Sequence, residues 1–355
     1  MDKFVCVRIV QANAMDLAQF QFDFDLTFAV FLMNADGTIY GRYGSRSDHK
    51  EAQRDISMES FAEAMEAALE LHQGYPGNKA LFTGKKAATP KYARPELFPT
   101  LTRFKPTLDF DGQVVQSCMH CHQIREAERA EYRAKKQPMP DQVLYPYPLP
   151  DMIGLKLDPK HKATVAAVAE GSIAESARFF AAGDEIVSMN GQPILSIADV
   201  QWVLHNMGDT GTIQAEVLRP GSRSLKPRLV TITLPPGWRK ASDISWRATS
   251  WDLRRMGLGG MFPGDMTDDE RKAAKLDTKQ MAFLLKHVGE YGEHARAKQA
   301  GFRKGDIIIA FDGKTDRMRE TDLLAYCIQQ KKPGDKIAAT VLRAGKKVEL
   351  SLVLP

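Results

Sequence analysis

Apolar and polar residues alternate along Phe4-Val5-Cys6-Val7-Arg8-Ile9-Val10, the spacing of a strand. Leu26 to Met33 is a continuous apolar run and predicts a buried central strand. Asn34-Ala35-Asp36-Gly37 is turn chemistry, so Thr38 to Tyr43 is expected to return as the second strand of a hairpin. Ser60-Phe61-Ala62-Glu63 fits a helix start, with Phe61, Ala64, Met65, Ala68 and Leu69 forming one apolar stripe. After His72 the pattern breaks. Gly74, Pro76, Gly77, Gly84, Pro90 and Pro95 punctuate a stretch that reads as an extended connector without a core of its own. Gln123 to Lys136 then predicts a charged helix with a thin stripe of Ile124, Ala127 and Ala134. Five prolines between Pro138 and Pro150 make a stiff lead into the next part.

The later half repeats itself. Ala182-Gly183-Asp184-Glu185-Ile186-Val187-Ser188-Met189-Asn190-Gly191 recurs as Lys304-Gly305-Asp306-Ile307-Ile308-Ile309-Ala310-Phe311-Asp312-Gly313. A helix follows in each copy, over 197–205 and 320–329. Gly208-Asp209 answers to Gly334-Asp335, and Val217-Leu218-Arg219-Pro220-Gly221 to Val341-Leu342-Arg343-Ala344-Gly345. A last alternating strand closes each copy.

The chain has 355 residues, 43% hydrophobic and 26% charged, with a formal charge of +5. That length argues for two or three domains. Basic residues are scattered among acidic ones, which argues against nucleic acid as a partner. No uninterrupted apolar run is long enough to span a membrane. The strand-like run directly after Met1-Asp2-Lys3 gives the start a clipped look, which leaves export unreadable. Four cysteines, Cys6, Cys118, Cys121 and Cys327, are too few for a disulfide scaffold; Cys6 and Cys327 read as buried thiols.

Cysteine and histidine crowd together only at Ser117-Cys118-Met119-His120-Cys121-His122. Cys-x-x-Cys-His is the pattern of covalent haem attachment: two thiols add to the vinyl groups and the imidazole ligates iron. It implies haem c on Cys118, Cys121 and His122, and an extracytoplasmic location. Met139, Met152 and His161 are the candidates for a second axial ligand. Zinc or copper held with His120, a reversible disulfide, and coincidence remain as alternatives.

Two resemblances follow. Phe24 to Gly37, with the helix after it, resembles the central hairpin of a thioredoxin-like fold. The opening strand and helix that carry that family's Cys-x-x-Cys are missing, and Thr27 or a neighbour stands where the family has a cis-proline. Thiol-disulfide activity is therefore not carried over to this part. The repeated half resembles tandem bacterial PDZ domains, on its glycine-aspartate entry, Asn-Gly or Asp-Gly turn, helix and Leu-Arg-x-Gly hairpin. That resemblance implies recognition of peptide C-termini or a partner protein, with a chain end added as a strand and its carboxylate held by a glycine loop. Met152-Ile153-Gly154-Leu155 matches the loop in the first copy, and Met256-Gly257-Leu258-Gly259-Gly260 in the second. Ile153, Leu155 and Leu258 are expected to line the pocket. Pro263 to Lys279 reads as an insertion, and Trp238, Trp246 and Trp251 as packing between domains.

The expected architecture is α+β and multidomain: a partial thioredoxin-like domain (1–75), a linker (76–117), the Cys-x-x-Cys-His segment (118–150), a PDZ-like domain (151–237), a Trp-containing linker (238–255) and a second PDZ-like domain (256–355). Each PDZ-like part is expected as a β-barrel or sandwich. No Gly-x-Ser-x-Gly occurs, and no Ser, His and Asp set sits in a suggestive context. The expected function is a non-proteolytic peptide-binding protein carrying haem for electron transfer, rather than an enzyme. The alternative is a thiol-disulfide oxidoreductase whose active cysteines lie outside this chain.

Overall fold

The computed structural model describes residues 2–48, 55–87, 89–221 and 226–355. Strand β1 (Val30–Met33) pairs antiparallel with β2 (Ile39–Tyr43). Asn34 N–H donates to the Thr38 carbonyl at 2.8 Å to close the turn between them. Helix α1 (Met58–Gln73) starts one turn earlier than Ser60 suggests. Ser57 is the cap, and the hydroxyls of Ser57 and Ser60 each accept from the other's backbone N–H, at 3.1 and 3.2 Å. Ala64 and Ala68 then face Leu32, Tyr40, Tyr43 and Phe82.

Two expectations for this part fail. Phe4 to Val10 forms no strand; Val5 and Val7 are 94% and 82% exposed. β-branched alternation cannot make a strand without an edge to pair with. Among the described residues of 1–75 the only sheet is the hairpin, so a thioredoxin-like sheet is not seen.

The presumed connector has a core. Phe98, Leu101 and Phe104 pack with Ala12, Met15 and Leu17, and with Met119, Ile124 and Ala127. Prolines and glycines dominate the count there, yet three buried apolar anchors suffice to fold the stretch back. Short helices α2 (Val114–Ser117), α3 (Cys121–Ala134) and α4 (Asp141–Leu144) follow.

The repeat then unfolds twice. The first copy runs β3 (Leu155–Leu157), β4 (Val165–Val168), α5 (Ile173–Ser176), β5 (Glu185–Met189), β6 (Gln192–Pro193), α6 (Ile197–His205), β7 (Gly211–Leu218) and β8 (Arg228–Leu234). Its sheets are β3-β4 and β6-β5-β7-β8. The second runs α7 (Ser250–Leu258), β9 (Met261–Asp265), α8 (Asp268–Ala273), β10 (Phe283–Val288), α9 (Arg296–Gln299), β11 (Ile307–Phe311), α10 (Glu320–Gln330), β12 (Lys336–Arg343) and β13 (Lys346–Val353). These strands form one sheet, β13-β12-β11-β10-β9. Pro263 thus belongs to a strand rather than to an insertion. The chain divides into two compact units, 1–127 with 145–242, and 128–144 with 243–355. Each holds one copy. The tryptophans serve their own units: Trp238 joins the first copy's core, and Trp251 meets Phe262 of β9 edge-on at 5.4 Å.

Candidate peptide-recognition sites

The glycine-aspartate and Leu-Arg signatures are two halves of one device. Asp184 Oδ2 accepts from Ala181 N–H at 2.8 Å and so ties the turn entering β5. Arg219, at the end of β7, donates to both Asp184 oxygens at 2.7 and 2.8 Å and to the Phe179 carbonyl at 2.6 Å. In the second copy Asp306 accepts from Arg303 N–H at 2.9 Å. Arg343 donates to both its oxygens at 2.8 Å and to the Gly301 carbonyl at 2.7 Å. Both aspartates are buried, and a two-pronged charge-assisted contact fixes the turn against the hairpin in both. Asn190-Gly191 and Asp312-Gly313 take positive φ at both positions, the geometry of a tight hairpin turn.

Hydrogen bonds also align the two candidate carboxylate loops. Ala169 N–H donates to the Gly154 carbonyl at 2.9 Å, and Gly289 N–H to the Gly260 carbonyl at 3.0 Å. Gly154 and Gly260 have φ of 85° and 87°. They are structural equivalents, so the second loop is Leu258-Gly259-Gly260-Met261. Glycine is required at both: an added Cβ would lie 2.1 Å from Ser172 Cβ in the first copy and 2.1 Å from the His294 carbonyl oxygen in the second. Gly257, expected in the loop, is inside helix α7 instead. Its missing side chain lets α7 approach Cys327 and Ile328, where a Cβ would come within 3.0 Å of Cys327 Cβ.

Downstream of the loops the copies diverge at one backbone donor. Val165 donates to the Asp184 carbonyl and accepts from Gly183, both at 2.8 Å, so its partner Leu157 turns its own N–H and C=O to the outer edge of β3. Leu285 does the same with Asp306 and Gly305, at 2.8 and 2.9 Å, and its partner on β9 is Pro263. The second edge therefore lacks a donor where the first has one.

The apolar side chains of both loops turn inward. Ile153, Leu155 and Leu258 have no exposed surface, and Ile153 and Leu155 belong to the core rather than to a pocket wall. In the first copy the residues leading into the loop lie on α6. The Tyr147 ring stacks on His205 at 4.1 Å, and its carbonyl accepts from Gln201 Nε2 at 3.0 Å. The rest of α6 is covered by the N-terminal part of the same unit. Lys85 Nζ sits 2.7 Å from Asp199 Oδ1 with neither side chain exposed. Arg42 lies 3.7 Å above the Trp202 ring. Burial is the leading influence on Lys85 and lowers its pKa, while the Asp199 carboxylate opposes it. No local pattern marks this cluster, because its members are far apart along the chain.

The Cys-x-x-Cys-His segment lies at the start of α3. Cys118 precedes the helix, and Cys121 and His122 are its first two residues. Both thiols are free and partly exposed, and burial pushes the Cys121 thiol up. His122 Nδ1 is 3.1 Å from Glu126 Oε1, which raises the imidazole pKa. The other ring nitrogen is thereby the one left to ligate, an arrangement common for metal-bound histidine. This donor set fits covalent haem. Among the described residues no cluster of three or more His, Cys, Asp or Glu side chains is placed to hold a metal ion.

A PDZ domain family model matches residues 164–212, and a second PDZ domain model matches residues 293–354. A probable periplasmic serine endoprotease DegP-like from Pseudomonas savastanoi pv. phaseolicola is 26% identical over 175 residues, 48% of this chain and 33% of that protein. The periplasmic pH-dependent serine endoprotease DegQ of Escherichia coli is 27% identical over 152 residues, 43% of this chain and 31% of that protein. Among solved structures, HtrA-type protease AlgW with a decapeptide is similar at 18% identity and a TM-score of 0.25, covering 40% of this chain and 48% of that one. A likeness at that score carries no argument. The chain spans about a third of the length of the two endoproteases. These relatives overturn the expectation of a non-proteolytic binder outside enzymology, and with it the oxidoreductase alternative: both are serine endoproteases. Both are also named as periplasmic, which agrees with an extracytoplasmic place for this chain, on grounds other than its cysteines. No helix among the described residues is long and apolar enough to cross a membrane. What the chain shows is two PDZ domains, the modules that bind peptide C-termini or partner proteins.

Proposed function

We propose that this chain works in extracytoplasmic proteolysis, as its DegP-like and DegQ relatives are named for, with its PDZ domains recognising the ends of substrate chains. The observation that carries the reading is the equivalence of Gly154 and Gly260, each at positive φ and each directly ahead of an edge strand. A peptide end would add along β3, pairing with the N–H and C=O of Leu157, with its carboxylate directed to the loop amides. The serine endoprotease relatives supply the link to peptide-bond hydrolysis. Among the described residues no serine hydroxyl is hydrogen-bonded to a histidine ring, and the reading gives these residues the recognition step.

The test is digestion of β-casein by the natively expressed protein, with and without a decapeptide ending in Val-Phe. A free-carboxylate peptide is expected to change the cleavage rate severalfold and its C-terminal amide to leave it unchanged. Equal effects of both peptides, or no cleavage at all, would overturn the reading.

We further propose that Cys118 and Cys121 hold haem through two thioether bonds, with His122 as iron ligand. The free thiols at one helix start and the Glu126 contact on His122 support this. When bound, haem supplies one-electron redox chemistry; Glu126 fixes the orientation of the His122 ring. Protein matured with haem-attachment machinery is expected to keep its Soret absorbance through denaturation and acid-acetone extraction, and a colourless product would rule the group out.

A further inference from the structure

Helix α7 lies against both β9 and α10, the two elements between which a PDZ domain takes its ligand. Its contacts run the length of α10. At one end Arg254 Nε donates to Glu320 Oε1 at 2.6 Å, with side chains 1% and 6% exposed. The same guanidinium covers the Phe262 ring of β9 at 4.1 Å and donates to the Ser245 carbonyl at 2.8 Å. At the other end Gly257 rests on Cys327 and Ile328. The Glu320 end of the groove is tied a second time: Asp265 of β9 accepts from the Glu320 N–H at 3.0 Å. An incoming strand has no room while these contacts hold.

We propose that α7 is an internal plug of the second PDZ groove: it holds the place of a ligand between β9 and α10 and detaches as a unit to open the site. The inference rests on the reading of these modules as peptide clasps, but its test needs no peptide. Two features suit the helix to leaving. It is short, with nine residues, and its own C-terminus ends on the paired turn Gly259-Gly260 at φ 60° and 87°, a ready hinge. Its hold on α10 also includes a buried ion pair, which contributes little net stability because both charges lose their water.

Cys327 reports the opening. It is fully buried, and α7 lies over it at Gly257. The intact protein is treated with iodoacetamide under native conditions, and labelling at Cys327 is followed by peptide mass spectrometry. Hydrogen exchange of α7, β12 and β13 is recorded in parallel. A detachable plug predicts Cys327 labelling at least tenfold faster than global unfolding allows. It also predicts that α7 amides exchange together, ahead of β12 and β13, and that Glu320→Gln accelerates both severalfold. Labelling only at the global unfolding rate, with α7 exchanging alongside β12 and β13, would overturn the plug. If instead Cys327 opens early but no chain end affects proteolysis, the plug stands and the recognition reading falls.

Discussion

The two PDZ copies share a framework and differ in what lies over their grooves. Asp184 with Arg219 and Asp306 with Arg343 make the same two-pronged contact, and Gly154 and Gly260 hold the same conformation. Yet the first copy has Tyr147 against α6 and keeps a backbone donor at Leu157, whereas the second has a whole helix over its groove and proline at that position. The repeat preserves what folds the module. What governs access to its groove has diverged. Framework and access are therefore separable, and substitutions in one should leave the other measurable.

The strongest break falls on the second copy alone. Arg254→Ala strands the Glu320 carboxylate in the interior and is expected to cost about 3–5 kcal/mol, read as early unfolding of β9 to β13 by hydrogen exchange in denaturant. A cost below about 1 kcal/mol would mean the pair is not closed in solution. Next come the loop glycines. Gly154→Ala and Gly260→Ala each force a side chain into left-handed backbone and into a neighbour, about 2 kcal/mol or more. Gly260→Ala should be the worse, since it meets the His294 backbone whereas Gly154→Ala meets the Ser172 side chain. The reverse order in urea midpoints would break the equivalence drawn between the loops.

How far the sequence revealed this can be seen in particular residues. Asp306 and Arg343 were legible because each copy repeats them at matched spacing, and repetition exposes a contact that neither residue shows alone. The Gly154 loop was legible for the same reason. Gly257 misled because glycine marks a turn and a close helix crossing equally well; only the position of Cys327 tells them apart. Phe4 to Val10 misled because alternation reports a preference for pairing, not the presence of a partner. The Arg254–Glu320 and Lys85–Asp199 contacts join residues more than sixty positions apart, beyond any local pattern.

Smaller effects sharpen the comparison. Leu157→Pro copies the second edge into the first. Because Leu157 also belongs to the first copy's core, the change should cost about 2 kcal/mol or more of stability, and in protein still folded by circular dichroism it should weaken decapeptide binding to the first copy about tenfold, one backbone hydrogen bond's worth, by fluorescence anisotropy. Unchanged binding would show that the peptide does not pair along β3. A further effect is in pH. Burial pushes Glu320 up to about 7, against the Arg254 contact that lowers it. The folded copy then takes up a proton between about pH 7 and 4.5 that the unfolded chain does not hold, so this group adds stability as pH falls through that window. Glu320→Gln should flatten that slope in melting temperature between pH 7.5 and 5; an identical slope in both proteins would assign it to other groups.

The most direct measurement is anisotropy of a fluorescent decapeptide ending in Val-Phe, titrated with the intact protein as the free acid and as the C-terminal amide. Recognition of chain ends predicts at least tenfold tighter binding of the acid. Equal affinities, or no binding of either, would contradict the account.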